Sequence, residues 1–128
     1  MFDASVIIPA YNASETLNEA ILSIDRASER FDGEVEKIII EDTTGKGPSW
    51  ARNRGLEKAR GKVVFFCDAD DTVKEDFFVK PYSALKYFSK SVCTGENKIF
   101  RVERNNALYL CIYRRKLCRR ENMLSVYL

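Results

Sequence analysis

Short runs of β-branched and aliphatic residues alternate with longer amphipathic stretches through the first half of the chain, and this alternation restricts the fold more than any other feature. It is the pattern of a mostly parallel sheet whose strands are joined by crossover helices. Ala4-Ser5-Val6-Ile7-Ile8 reads as a buried strand stopped by Pro9. From Ala13 onward, Leu17, Ala20, Ile21, Ile24, Ala27 and Phe31 recur at three- and four-residue steps, the period of a helix burying one face. Asn12 or Ser14 is the expected cap, Glu15 or Glu19 suits the positive dipole end, and Gly33 is the expected stop. A second strand is expected over residues 37–40, and a second helix over 48–60, opened by Pro48 and closed by Gly61. A third strand is expected over 62–67. A further helix is expected within 75–88 on Phe77, Phe78, Leu85 and Phe88, kinked or shifted by Pro81. Beyond Ser91 the pattern weakens to a strand over 107–113 and a short basic helix around 114–120.

Composition narrows the class. With 128 residues, 45% apolar and 31% charged, the chain is expected to form one soluble globular domain without room for a second. The net charge of +2 hides an asymmetry: residues 98–120 carry eight Lys/Arg and one Glu, whereas residues 1–97 carry thirteen Lys/Arg against seventeen Asp/Glu. A basic stretch of that kind is commonly a solvated face, and it can also meet an anionic membrane surface or phosphates. Cys67, Cys93, Cys111 and Cys118 form no C-x-x-C pair, and with no histidine there is no Cys/His set with zinc spacing. Buried thiols in a reducing compartment are expected. No signal peptide is visible at the N-terminus and no apolar run reaches the length of a membrane span, so the cytoplasm is the default expectation. The Asn12-Ala13-Ser14 sequon then carries no weight.

In open parallel α/β sheets, ligands bind beyond the carboxyl ends of the strands, where loops converge and helix N-termini direct N–H groups at anions. The residues after the three expected strands are Pro9-Ala10-Tyr11-Asn12, Glu41-Asp42-Thr43-Thr44 and Asp68-Ala69-Asp70-Asp71. Three polar, mostly acidic strand ends should therefore meet at one edge. Crowding Asp68, Asp70 and Asp71 within four residues raises their pKa values mutually unless a cation intervenes. Hard oxygen ligands select Mg²⁺ or Mn²⁺, and Mg²⁺ is usually held by one or two carboxylates plus substrate phosphates. The plainer reading is a helix start decorated with acids that favour its dipole.

Taken in order, Ser5-Val6-Ile7-Ile8-Pro9-Ala10-Tyr11-Asn12, the strand ending in Glu41-Asp42, Gly47-Pro48-Ser49-Trp50-Ala51-Arg52-Asn53-Arg54-Gly55-Leu56, and Ala59-Arg60-Gly61 leading to Asp68-Ala69-Asp70-Asp71 resemble a family 2 glycosyltransferase of GT-A fold, apparently shortened. The resemblance implies a single Rossmann-like GT-A domain over residues 1–128, with residues 1–90 binding a nucleotide-sugar and 91–128 forming a reduced acceptor side. Pro9, Ala10 and Tyr11 match the segment that cradles the nucleotide base, with the tyrosine ring available for stacking. Asp42 matches the acid that accepts a hydrogen bond from the base, usually uracil. Asp68 and Asp70 match the D-x-D pair, the first near the ribose and the second coordinating Mn²⁺ or Mg²⁺ on the diphosphate. Arg52 and Asn53 match a helix start that supports the site, with a purely structural role equally open, and Asp71 matches a supporting acid.

By resemblance, the expected reaction is displacement at the anomeric carbon of a nucleotide-diphosphate sugar, with a UDP-sugar the expected donor, by an acceptor hydroxyl, with inversion and metal assistance to the leaving diphosphate. The implied partners are that donor and a glycan or glycolipid acceptor in polysaccharide biosynthesis, with no nucleic acid and with peripheral membrane contact through residues 98–120. Three departures from the pattern stand out. Only five residues separate Asp42 from Pro48, where the family carries a further helix and strand, so a smaller sheet and a less enclosed base pocket are expected. The stretch running to Tyr113-Arg114-Arg115 resembles an acceptor-side segment but follows Asp70 early. No catalytic base can be assigned, since Glu96, Glu103 and Glu121 match no family motif. Two other readings remain open at this level: a catalytically inactive nucleotide-sugar-binding remnant, and a haloacid-dehalogenase-like phosphatase built on Asp68-Ala69-Asp70-Asp71-Thr72, with Asp68 as nucleophile.

Overall fold

The computed structural model describes residues 2–79 and 82 in full, together with the backbone of three later strands. The elements run β1 (Ala4–Ala10), α1 (Leu17–Glu29), β2 (Val35–Glu41), α2 (Pro48–Lys58), β3 (Val63–Phe66), β4 (Val92–Thr94), β5 (Asn97–Arg104) and β6 (Ala107–Arg114). They form one sheet of order β2-β1-β3-β6-β5-β4. The pairs β1·β2, β1·β3 and β3·β6 are parallel, and the pairs β5·β6 and β4·β5 are antiparallel. This is the expected Rossmann-like α/β class with a mostly parallel sheet.

β1 occupies the centre of the parallel part, and all of its residues except Pro9 are buried. The strand alternation splits its neighbours between two cores. Val6, Ile8 and Ala10 pack with Ile24 and Ala27 of α1, with Phe31, and with Phe65, Phe77 and Phe78. Ile7 packs with Ala51 and Leu56 of α2, Ala59, Ile38, Ile40, Val64 and Phe66. One helix thus covers each face, and a strand buried on both faces reads as a continuous apolar run. On the α1 side, the rings of Phe31, Phe65, Phe77 and Phe78 lie with centroids 4.8–5.8 Å apart in tilted and edge-on arrangements.

Several expectations need correction. β1 continues through Pro9 to Ala10. The Ala10 carbonyl accepts from the Asp42 N–H on the β2 side, and the Ile7 carbonyl accepts from Cys67 N–H on the β3 side. Pro9 therefore faces β3 beyond Phe66, where that ladder has ended, and its missing N–H leaves no bond unmade. Helix α1 is capped by neither Asn12 nor Ser14. Its N-cap is Thr16, without a side-chain cap bond, although Thr16 and Leu17 N–H already donate to the Ala13 carbonyl. Helix α2 stops at Lys58 rather than 60, because Ala59 turns extended while its N–H still reaches Gly55 O. The strands β2 and β3 are displaced by one or two residues from their expected ends, and β4 and β5 were not foreseen. The helix expected within 75–88 falls mostly outside the described residues, although Phe77 and Phe78 are buried as expected. Of the basic helix around 114–120, Arg114 instead ends β6 and the rest lies outside the described residues.

Two glycines let the layers approach. A Cβ on Gly55 would lie 2.3 Å from Ile7 Cγ2, so the middle of α2 rests directly on β1. A Cβ on Gly61 would lie 2.5 Å from the Ala4 carbonyl carbon and from Ser5 N. Gly61 N–H donates to Ser5 Oγ at 2.8 Å, and Ser5 Oγ donates to Glu36 at 2.8 Å. Glu36 also accepts from the Arg60 N–H at 3.0 Å and from Arg60 Nε at 2.9 Å. This network ties the amino ends of the three parallel strands, opposite the edge where their loops converge.

Gly61→Ala is expected to destabilise the domain by about 1–3 kcal/mol, since the added methyl meets backbone that cannot rotate away; urea denaturation measures it. Burial pushes the Glu36 carboxyl upward, but donation from the Arg60 N–H, Ser5 and the Arg60 guanidinium outweighs it and leaves the pKa below the ordinary 4.5. The unfolded chain then binds more protons, so this contribution to stability is present above the unfolded pKa and lost as pH falls through the folded one. Glu36→Gln should therefore flatten the loss of stability below about pH 5.

Candidate functional site

The parallel register brings the carboxyl ends of β1, β2 and β3 to one edge, and the loops that follow enclose a cleft of about 690 Å³. Its lining includes Pro9 and Ala10 at the end of β1, Tyr11 just after it, Asp42 after β2, Arg52 on α2, and Asp68 and Asp70 after β3. Seven of the eight residues singled out from the sequence thus share one cavity, of a size usual for small-molecule sites. Asn53, the eighth, is half-buried on α2 and is not part of the wall. Gly45, Gly47, Pro48 and Ala51 complete that side.

The loop after β2 is shaped by Asp42, which is buried. One carboxylate oxygen accepts from Lys46 N–H at 2.9 Å and the other from Gly47 N–H at 2.8 Å. Donation by the Lys46 N–H, followed by those of Gly47 and Gly45, holds this carboxyl below its usual pKa despite its burial. The chain can wrap its own side chain this tightly because Gly45 and Gly47 have φ of +70° and +101°, conformations that residues with a Cβ seldom take. Tyr11 reaches over this loop, its hydroxyl and ring edge flanking Gly45, yet 62% of its surface is exposed. The turn out of β1 uses Asn12 at φ +47°, a left-handed position that asparagine tolerates. On α2, Trp50 lies between Lys46, 4.8 Å from its ring centroid, and Arg54 at 5.7 Å.

The loop after β3 gathers the acids. Asp71 N–H donates to Asp68 O at 3.1 Å, closing a tight turn. The side chains of Asp68, Asp70 and Asp71 then offer oxygens all within 4.8 Å of one another. Beneath them Arg52, 4% exposed, donates from NH2 to Asp68 Oδ1 at 3.1 Å. Burial raises the Asp68 pKa, Arg52 opposes the rise, and Asp71 and Asp70 add to it, leaving the carboxyl above its usual value. Arg52 thus pairs with one of three neighbouring carboxyl groups. An all-oxygen donor set of this spacing fits a hard divalent cation such as Mg²⁺ or Mn²⁺.

The sequence did not single out Gly45 or Lys46, whose backbone shapes the wall. The signal available was a pair of glycines around a lysine, directly before the proline that opens α2. The family model described as glycosyl transferase family 2 matches residues 25–125, a span that takes in β2, α2, β3 and the acidic turn. The chain belongs to glycosyl transferase family 2.

Among curated relatives, an uncharacterized glycosyltransferase of Haemophilus influenzae is 34% identical over 97 residues, covering 56% of this chain and 38% of the relative. YfnE of Bacillus subtilis, also an uncharacterized glycosyltransferase, is 31% identical over 116 residues, covering 72% and 29%. The amylovoran biosynthesis glycosyltransferase AmsB of Erwinia amylovora is 36% identical over 97 residues, covering 56% and 32%. The chain spans about a third of the length of these relatives. Because 97 aligned positions take in only 56% of a 128-residue chain, roughly a quarter of those positions have no counterpart here. That accords with the shortened stretch between Asp42 and Pro48. No solved structure matches the chain at a significant level.

Asp42→Asn should free the loop, since an amide cannot accept at both positions; faster exchange of the Lys46 and Gly47 amide protons would show it. Arg52→Met should destabilise the fold by about 2–4 kcal/mol by leaving Asp68 desolvated and unpaired, and adding Asp68→Asn should return much of that loss. Thermal and urea unfolding of the two single variants and the double variant test this.

Proposed function

We propose that the cleft binds a nucleotide-diphosphate sugar, most simply a UDP-sugar, and that the protein transfers the sugar to a glycan or glycolipid hydroxyl with inversion. The observation that carries this reading is the convergence of Pro9, Ala10, Tyr11, Asp42, Arg52, Asp68 and Asp70 on a single cavity in a glycosyl transferase family 2 chain. In this reading the exposed Tyr11 ring stacks on the base. Asp42 presents a remaining lone pair to a base N–H, since a carboxylate has about four acceptor sites and the loop fills about three with the N–H groups of Lys46, Gly47 and Gly45. Asp68 lies near the ribose, and Asp70 with Asp68 would hold Mn²⁺ or Mg²⁺ against the diphosphate. A bound divalent cation would supply Lewis-acid stabilisation of the charge that develops on the leaving diphosphate.

The chain's own part is preorganisation. Arg52 fixes the Asp68 side chain from beneath, so the acidic turn faces the cleft without having to reorganise when charge develops. Asn53, in the middle of α2 rather than at its start, supports the same helix. Residues 1–90 form the donor-binding part and 91–128 the acceptor part. The basic stretch 98–120 is assigned to contact with an anionic glycolipid or membrane surface. Among the described residues no helix is long and apolar enough to cross a membrane. The relatives' glycan roles, such as amylovoran biosynthesis for AmsB, favour a polysaccharide acceptor.

The positions missing relative to those relatives favour a second reading, a domain that binds the nucleotide-sugar without turning it over. Turnover separates the two, because a remnant releases no free nucleoside diphosphate. Calorimetric titration of uridine diphosphate is expected to show Mn²⁺-dependent binding to the wild type, lost in Asp70→Ala. Tyr11→Ala is expected to weaken it by about 1–3 kcal/mol, the worth of one base–aromatic stack. Equal affinity with and without metal, or no binding by the wild type, would remove the donor-site reading.

A further inference from the structure

β2 ends the sheet, and among the described residues nothing pairs with its outer side. Glu34 O accepts from Asp3 and Ala4 N–H, and Asp42 N–H donates to Ala10 O, so even-numbered residues of this segment bond toward β1. By alternation, Val35, Lys37, Ile39 and Glu41 direct their N–H and C=O groups outward. The strand is seven residues long, has no proline, and carries Ile39 with 39% of its surface exposed. A strand edge of this kind is a template for another strand.

The charges select the occupant. When two copies pair antiparallel about a two-fold axis through Ile39, Ile39 faces Ile39 and Lys37 faces Glu41 at both ends, with these three outward residues all in hydrogen-bonded pairs. A shift of two residues either way sets a charge against Ile39. A shift of four sets Lys37 against Lys37 or Glu41 against Glu41. Parallel in-register pairing also opposes like charges. Leu22, 53% exposed, adds apolar surface beside this row. Lys37 binds Asp25 of α1, and α1 runs opposite to β2. Moving from Asp25 to Leu22, about 4.5 Å along the helix, parallels moving from Lys37 to Ile39, about 6.6 Å along the strand.

We infer that the β2 edge is a self-association surface whose partner is a second copy of this chain, joined antiparallel about Ile39 with Lys37 and Glu41 as reciprocal cross-strand pairs. The two sheets become one continuous sheet of twice the width, and each Asp42 loop emerges next to the start of the other copy's β2. A contact of one short edge strand gives a reversible dimer rather than a permanent one.

Sedimentation velocity from low to high micromolar concentration is the test. The wild type should pass from monomer to dimer, and Ile39→Lys should weaken association at least tenfold. Glu41→Lys alone and Lys37→Glu alone should each remain monomeric, whereas an equimolar mixture of the two should regain the dimer, because each new charge then meets its opposite. Glu41→Lys leaves the Asp25–Lys37 pair intact, and circular dichroism of each variant checks that its monomer is folded. A wild type that stays monomeric throughout, or a dimer unaffected by Ile39→Lys and by the single charge reversals, overturns the inference. So does a mixture of folded variants that stays monomeric.

Discussion

Everything at the cleft depends on β1 being held between two parallel neighbours. Parallel pairing on both sides forces β1, β2 and β3 to end at the same edge, and the register carries Ala10 to Glu41 on one side and Ile7 to Phe66 on the other. The two sides end unevenly, by three residues of β1, and this stagger opens the space. Pro9 and Ala10 project past the end of β3, and the acidic turn occupies the gap. An antiparallel arrangement would have sent one of the three loops to the opposite edge, where the Ser5–Glu36–Arg60–Gly61 network ties the strands together. Polar groups thus lie at both ends of the same strands, in contrasting states: satisfied by internal hydrogen bonds at one end, and crowded with like charge at the other.

The two carboxylates at the heart of the cleft are treated differently by the fold. Asp42 receives backbone N–H groups from its own loop, which draws its pKa down and commits it to holding that loop. Asp68 is desolvated beside two more acids and only partly compensated by Arg52, which draws its pKa up. A carboxylate stabilised by local donors is a structural anchor that can still accept one more bond. A carboxylate destabilised by its surroundings gains most from an incoming cation. The division of labour assigned to the base end and the diphosphate end of the cleft follows that electrostatic difference, and it needs no movement of either loop.

Much of this was legible in the sequence, for reasons that also mark the boundary. Val6-Ile7-Ile8 and Val63-Val64-Phe65-Phe66 are continuous apolar runs because their strands are covered on both faces, and the residues after such strands must fall at the carboxyl edge. Seven candidate residues met in one cleft for that reason. The passage of β1 through Pro9 was not legible, since it depends on which neighbour has already ended, a fact about β3 more than fifty residues away. β5 was missed because Lys98, Arg101, Glu103 and Arg104 interrupt its apolar pattern, and its place comes from pairing with β6. Ser23 was passed over as polar within the α1 stripe, yet it is buried. Its hydroxyl donates to Ala20 O and accepts from Val73 N–H, fixing the segment that follows the acidic turn.

The five residues between Asp42 and Pro48 link the cleft to the sheet edge. So short a connection cannot hold a further helix and strand, so α2 must begin at once, and the Asp42 carboxylate with two glycines at positive φ makes that abrupt turn possible. The same economy leaves β2 without an outer neighbour among the described residues. A longer family 2 chain with another strand there would bury Ile39 and leave Lys37 and Glu41 to find partners within the same molecule. In this chain Lys37 and Glu41 flank the exposed Ile39 on the α1 side of the edge strand, at a spacing that matches their own two-fold image. The loop that shapes the Asp42 side of the cleft and the open edge of β2 are therefore two consequences of one shortened connection.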